Sequence, residues 1–250
     1  MIRLIYILLI MFLFVVLTSC VYNVQLKPIP DEGQTIRFFE GKEICVSPGT
    51  VGIGIYADPP VYKSTSRPTF YVLLSNNGNT YVNFSPETIN ASNNGNQLKT
   101  LSLHELVAEI EKKRKNAIFT ATLTGLAQSY NTSLYGNQKQ YHYGTYSDYS
   151  GNYSGTYFGH TYDPSSGEKA QAAIQAQTIQ NFSNINTGSA FDLYNIKKNI
   201  LQKQTLLPGD YYSGYIKIET PAYFDQDLII NIEIEGIYKK FTFSQNIVTY

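Results

Sequence analysis

The sequence predicts an α+β fold: an antiparallel β-sandwich interrupted by a long helical hairpin with a Tyr/Gly-rich ribbon at its tip. Three observations predict it. Short apolar-alternating runs, punctuated by Asn-Gly, Glu-Gly and Pro-Gly pairs, fill residues 35–101 and 206–250. Two long stretches of helical spacing lie between those halves, within 102–205. Between the helical stretches, Tyr130–Tyr162 consists mostly of Tyr, Gly, Ser, Thr and Asn. Its centre repeats a four-residue unit: Tyr149-Ser150-Gly151-Asn152, Tyr153-Ser154-Gly155-Thr156, Tyr157-Phe158-Gly159-His160.

The 250 residues suffice for one or two domains, and 43% hydrophobic content supplies a core. Basic and acidic side chains balance at 19 each, so the chain carries no electrostatic footprint for nucleic acid. Trp is absent and Tyr, at 22 residues, is abundant. Tyr joins a large apolar face to a hydroxyl, which suits half-buried strands and wet binding surfaces.

The N-terminus reads as an address. Arg3 precedes an apolar run, Leu4–Leu17, of 14 residues. A membrane-crossing helix needs about 20, so this length fits the apolar region of a signal peptide. The run ends in Leu17-Thr18-Ser19-Cys20, which resembles the lipobox of bacterial lipoproteins. That resemblance implies that residues 1–19 are removed, that Cys20 is acylated, and that the bilayer is the first partner. With Val21 rather than Asp at the second mature position, it further implies the outer membrane in a Gram-negative cell. Two or more acyl chains anchor a protein stably without a spanning helix. Removal of Arg3 leaves 18 basic against 19 acidic side chains, net −1. Val21–Gln34, polar and with Pro28 and Pro30, reads as a tether. Fully extended it would reach roughly 45 Å and lift the folded domain off the membrane.

In the first β-half, Thr35–Phe39 and Lys42–Val46 flank Glu40-Gly41. Val51, Ile53 and Ile55 alternate with Gly52 and Gly54, which leave room for a large neighbour. Thr69–Ser75 and Thr80–Phe84 flank Asn77-Gly78 and predict a hairpin; Ile89–Ala91 and Gln97–Lys99 repeat the pattern around Asn94-Gly95. In the second half, Leu207-Pro208-Gly209-Asp210 predicts a type II turn. Strands follow at Tyr211–Ile218, Asp227–Ile234 and Tyr238–Ser244. Short strands with turns every 8–12 residues are the pattern of an Ig-like sandwich. Cys45, in the strand-like Glu43–Val46, reads as a buried inert thiol.

The excursion opens on Ser102-Leu103-His104-Glu105, a capping box. Leu103, Leu106, Val107, Ile110, Ala117, Ile118 and Ala121 follow at helical spacing, interrupted by the charged belt Glu111–Lys115. Beyond the belt, Ala117–Tyr130 is uncharged and apolar on more than one face, with Phe119, Leu123 and Leu126. It needs cover from the second helix and the β-half, or else it touches membrane or assembles with itself. The exit helix begins at Asp163-Pro164, passes Ala170, Ile174, Phe182, Ile185, Leu193, Ile196 and Ile200, and carries a kink signal at Asn186–Ser189. An antiparallel helix pair is the simplest geometry.

The ribbon has two readings. As a strand from Tyr149 it puts Tyr149, Tyr153 and Tyr157 on one face with Gly151, Gly155 and Gly159, and pairs with Gln138–Tyr146 so that a Tyr ring covers a Gly across the turn near Ser147-Asp148. As a Gly/Ser-rich tract it is a flexible coil. Either way the candidate partner-binding residues are Tyr141, Tyr143, Tyr146, Tyr149, Tyr153 and Tyr157.

Lipobox, the segment Asn83–Ile89, the helix Leu103–Lys115, the Tyr/Gly ribbon, a second helix and Leu206–Ile218 are together similar, in that order, to a family of bacterial envelope proteins of unknown function. The resemblance implies architecture and no chemistry. No nucleophile elbow, zinc-protease or P-loop pattern is present, and His104, His142 and His160 lack metal-ligand spacing. The expectation is a non-catalytic binding or scaffold lipoprotein without metal or cofactor, with a protein partner in the envelope. The alternative is a membrane-active or self-assembling module built on residues 103–130.

Overall fold

The structure, a computed structural model, describes residues 21–135, 140–147, 154–161 and 164–248. The signal segment 1–19, Cys20, Asp148 and Asp163 therefore lie outside the described residues, as do Tyr149 and Tyr153. In chain order the elements are β1 (Asn23–Ile29), β2 (Thr35–Phe39), β3 (Lys42–Ser47), β4 (Val51–Ala57), β5 (Val61–Lys63), β6 (Thr69–Asn76), β7 (Val82–Phe84), β8 (Ile89–Asn93) and β9 (Asn96–Leu98). Then come α1 (Leu103–Tyr135), β10 (Gln140–Ser147), β11 (Ser154–Thr161) and α2 (Pro164–Asn199). The chain finishes with β12 (Gln204–Leu206), β13 (Tyr211–Lys217), β14 (Leu228–Ile234) and β15 (Ile237–Val248). The fold is α+β, with antiparallel sheets and two helices. Contacts divide the chain into two units: residues up to Leu106 with those from Ile196 onward, and Val107–Asn195.

The first unit holds a six-stranded sheet, order β5-β1-β15-β14-β8-β9, and a five-stranded sheet, order β13-β6-β4-β3-β2. One buried cluster joins their inner faces. Phe70 of β6 and Phe243 of β15 meet across it with ring centroids 4.8 Å apart. Alternation puts them there: Leu228, Ile230, Ile232 and Ile234 share one parity of β14 and all are buried. Ile53 and Ile55 of β4 are buried with the intervening Gly54, whose missing Cβ leaves the Ile44 and Leu73 side chains 3.4 Å from where it would stand. Three tight hairpins turn on a non-glycine and a glycine with positive φ: Glu40-Gly41, Asn94-Gly95 and Glu235-Gly236. Gly209 supplies the positive φ of the expected Pro-Gly turn, closed by Asp210 N–H donating to the Leu207 carbonyl at 2.9 Å.

Four local expectations are corrected. Val21–Gln34 is not a tether: Asn23–Ile29 is a strand, paired over seven residues with β15, with Val24 and Leu26 buried. Pro28 disguised it, yet Pro28 lies beyond the three residues where β5 pairs with β1. Thr69–Ser75 and Thr80–Phe84 do not pair with each other. β6 lies between β4 and β13, while β7 pairs with β12 in a separate two-stranded sheet. Asn76 redirects the chain instead. Its buried side chain donates to the Thr80 and Leu206 carbonyls at 2.8 and 3.0 Å and accepts from Gly78 N–H at 3.0 Å, so the local turn preference serves a change of sheet.

The other two corrections concern the helices. The ribbon begins later than Tyr130, because α1 continues to Tyr135. No break interrupts α2 at Asn186–Ser189. Gly188 costs a helix about 1 kcal/mol relative to Ala, which a helix of 36 residues absorbs.

The capping box forms as spaced. Ser102 Oγ accepts from Glu105 N–H at 3.3 Å, and the Glu105 carboxylate accepts from Ser102 N–H at 3.0 Å. A bond from the Lys99 ammonium and the bonds from Ser102 hold the Glu105 carboxyl down to about 2, below its ordinary 4.5.

Candidate functional site

β10 and β11 pair antiparallel over eight residues, from Gln140↔Thr161 to Ser147↔Ser154. The turn expected near Ser147-Asp148 falls on residues outside the described set. The register sets glycine opposite bulky residues: Gly144↔Tyr157, Tyr146↔Gly155 and His142↔Gly159. These three pairs share one parity. The other carries Tyr141↔His160, Tyr143↔Phe158 and Thr145↔Thr156. Tyr143 is 73% exposed and Phe158, directly opposite it, 71%.

Of the six candidate tyrosines, the structure thus brings Tyr141 and Tyr143 to one parity and Tyr146 and Tyr157 to the other. Tyr149 and Tyr153 lie outside the described residues. The four do not form a single file. The register sets two exposed aromatic residues, Tyr143 and Phe158, directly opposite each other. Repeat spacing could not have shown it, because Phe158 sits off the Tyr/Gly period and only the register brings it opposite Tyr143. His142 and His160 stand at opposite parities, so the register does not collect them on one side of the hairpin.

The same unit carries the long helical segments. α1 and α2 approach closely at Gly125, which is buried. A Cβ there would lie 2.7 Å from Thr178 Oγ1, which itself donates to the Ile174 carbonyl at 2.8 Å. Half-buried positions follow the helical period on both helices, Ile110, Ala117 and Ala121 on one and Ala170, Ile174 and Ile185 on the other. The expectation that the chain itself covers all of Ala117–Tyr130 is not met. Phe119, Leu123 and Leu126 stay more than half exposed, at 64%, 51% and 63%. No helix among the described residues is long and apolar enough to cross a membrane.

In the β-unit, Cys45 is buried and its thiol donates to Gln34 Oε1 at 3.3 Å. Burial pushes this thiol up to about 11, which keeps it protonated and unreactive. His104 is exposed in the first turn of α1.

A recess of about 630 Å³ lies beside the β7–β12 pair. Asn83, Ser85, Thr88, Lys203, Glu233 and Glu235 line it. Its polar groups are mostly spent on one another. Asn83 N–H donates to Glu235 Oε1 at 2.8 Å, Thr205 Oγ1 to Asn83 Oδ1 at 2.8 Å, and Thr88 Oγ1 to the Glu233 carbonyl at 2.6 Å. Sequence reading missed this recess because its two short strands come from halves of the chain more than a hundred residues apart. Among the described residues no group of three or more His, Cys, Asp or Glu side chains is placed to hold a metal ion.

With this geometry in hand, the chain was compared with known proteins: no protein family, curated protein or solved structure matches it.

Proposed function

We propose that this protein is a lipid-anchored component of a bacterial cell envelope, at the outer membrane in a Gram-negative cell, with a non-catalytic binding or scaffold role. An Ig-like β-sandwich, anchored through acylated Cys20, presents the β10–β11 hairpin to a protein partner. The observation that carries the reading is the exposed Tyr143–Phe158 pair on a two-stranded hairpin. A two-stranded hairpin is at best marginally stable alone, and large aromatics exposed on it are the composition of a contact surface. The order of charge, apolar run and Leu-Thr-Ser-Cys at residues 3–20 supports the anchor.

Two measurements test it. Intact-mass analysis of the membrane-fraction protein is expected to show a chain beginning at Cys20 with acyl chains attached. Pull-down from solubilised envelopes is expected to lose a partner when residues 140–161 are replaced by a short Gly/Ser linker. Equal recovery of every partner by that variant rejects the hairpin as the contact.

A second reading, self-assembly or membrane contact through α1, is favoured by the exposed Phe119, Leu123 and Leu126, spaced four and three residues apart. Sedimentation of the wild type against a variant with Ser at all three positions separates the two. A change of oligomeric state supports assembly, and identical monomers remove it.

A further inference from the structure

The chain is fixed in place from Tyr22 onward. Tyr22 N–H donates to Ser64 Oγ at 3.3 Å, and the Tyr22 carbonyl accepts from Ser64 N–H at 2.8 Å. Its ring stands edge-on to Phe224 with centroids 5.4 Å apart. Between Cys20 and this fixed point lies one residue, Val21. At 3.3–3.6 Å per residue, the covalent chain lets an anchor at position 20 reach no more than about 7 Å from Tyr22.

The surface at that end of the unit is apolar. Phe241, Phe243, Gln245 and Ile247 share the inward parity of β15, and the first three are buried while Ile247 is 53% exposed. The core therefore ends at Gln245. Its Oε1 accepts from Tyr62 Oη–H at 2.9 Å, and its Nε2 donates to the carbonyls of Tyr223 and Gln226 at 3.1 and 2.7 Å. Beyond this satisfied polar layer stand Ile247, Val21 at 54% exposure and Tyr223 at 45%.

We propose that this end of the β-unit rests directly on the lipid bilayer, with Val21, Tyr223 and Ile247 in the headgroup and upper acyl region. The proposal rests on acylation of Cys20, which holds the glycerol of the anchor at the interface. A chain of one free residue then leaves no gap between lipid and protein for water to fill. Tyr223 suits the site, since an amphipathic ring sits well at headgroup depth. The contact is apolar, so it is insensitive to salt. Its occupant is a bilayer and not a second copy, because the anchor brings lipid to this surface at every encounter.

The test uses full-length protein purified from membranes and reconstituted into phosphatidylcholine vesicles. Ile247→Cys, Tyr223→Cys and, as control, Tyr238→Cys are each labelled with an environment-sensitive fluorophore. Position 238 lies on β15 about 30 Å from 247, at 3.3 Å per residue. Doxyl-labelled lipid is expected to quench most of the emission at 223 and 247, at low and high salt alike, and little at 238. Inserting a flexible Gly/Ser segment between Cys20 and Val21 is expected to relieve that quenching.

Acylated, vesicle-bound protein whose labels at 223 and 247 are quenched no more than that at 238 overturns the seat while leaving the anchor standing. Protein that carries no acyl chain by mass spectrometry and stays off vesicles overturns the anchor, and the seat with it. A concentration-dependent shift of the label at 247 in detergent without vesicles assigns the surface to a second copy and overturns the proposal.

Discussion

The two units of this chain bury their side chains in opposite measure. In the β-unit, Ile230, Phe241 and Phe243 are fully buried, and strands from distant parts of the sequence close one shared core. In Val107–Asn195, Gly125 is the one buried residue among those described, and Phe119, Leu123, Leu126 and Ile179 face outward. The first unit buries most of its apolar residues in that core, with Phe38 at 74% and Phe39 at 63% exposure among the exceptions. The second keeps large apolar side chains at the surface, where they cost little to the fold and are available to something else. A well-buried unit (the base) and an inserted stretch with exposed apolar side chains (the extension) are thereby separated in one chain, and the separation can be attacked one side chain at a time.

The largest effect belongs to the shared core. Phe243→Ala is expected to cost about 4 kcal/mol of unfolding free energy, by lost transfer energy and the cavity left behind. Leu123→Ala in the extension is expected to cost less than about 1 kcal/mol. Urea titration of both variants compares them directly, and a Leu123 cost approaching that of Phe243 would erase the contrast.

Next comes Asn76, whose side chain closes three bonds at the crossing from β6 to β7. Asn76→Ala is expected to lose about 2 kcal/mol, since the carbonyl of buried Leu206 then lacks its donor and the bonds to Thr80 and Gly78 go with it. The same titration reads it. A neutral result would mean that the chain changes sheet without this side chain.

A smaller effect of opposite sign is expected in the extension. Gly188 is helical and a Cβ added there meets open space. Gly188→Ala is expected to stabilise α2 by about 1 kcal/mol, seen as slower amide exchange around residue 188 and unchanged exchange in β14. Slowing in both places would show that the two units open together.

The mildest perturbation is pH. The Glu105 carboxyl is held at about 2 in the folded chain, against an ordinary 4.5. A lowered folded value means that its support for the start of α1 is present above pH 4.5 and is lost as pH falls towards about 2. Protection of the amides in the first turn of α1, relative to their intrinsic exchange at each pH, is expected to fall across that window, and Glu105→Gln to remove the dependence. Retention of the dependence in that variant assigns it to another group.

How far the sequence revealed all this depended on how local each determinant was. The hairpins at Glu40-Gly41, Asn94-Gly95 and Glu235-Gly236 are visible because the positive φ they need is written in two adjacent residues. The capping box at Ser102 and Glu105 is visible for the same reason. β1 was not, because Pro28 and polar neighbours dilute an alternation of only Val24 and Leu26, and its strand character comes from pairing with β15 more than two hundred residues away. The Asn77-Gly78 turn misled because the same dipeptide that closes a hairpin can also send a chain to another sheet. In β10 and β11, Tyr/Gly alternation pointed to a paired strand, but the register that sets Phe158 beside Tyr143 is a property of two strands and not of either.

The measurement that bears most directly on the division between base and extension is site-specific photo-crosslinking in intact cells. A photoreactive phenylalanine at Tyr143, in the extension, is compared with one at Tyr211, in the β-unit, which at 83% is more exposed still. A discrete crosslinked species from position 143 and none from 211 is the expected result. No product at 143, or the same product at both positions, would contradict it.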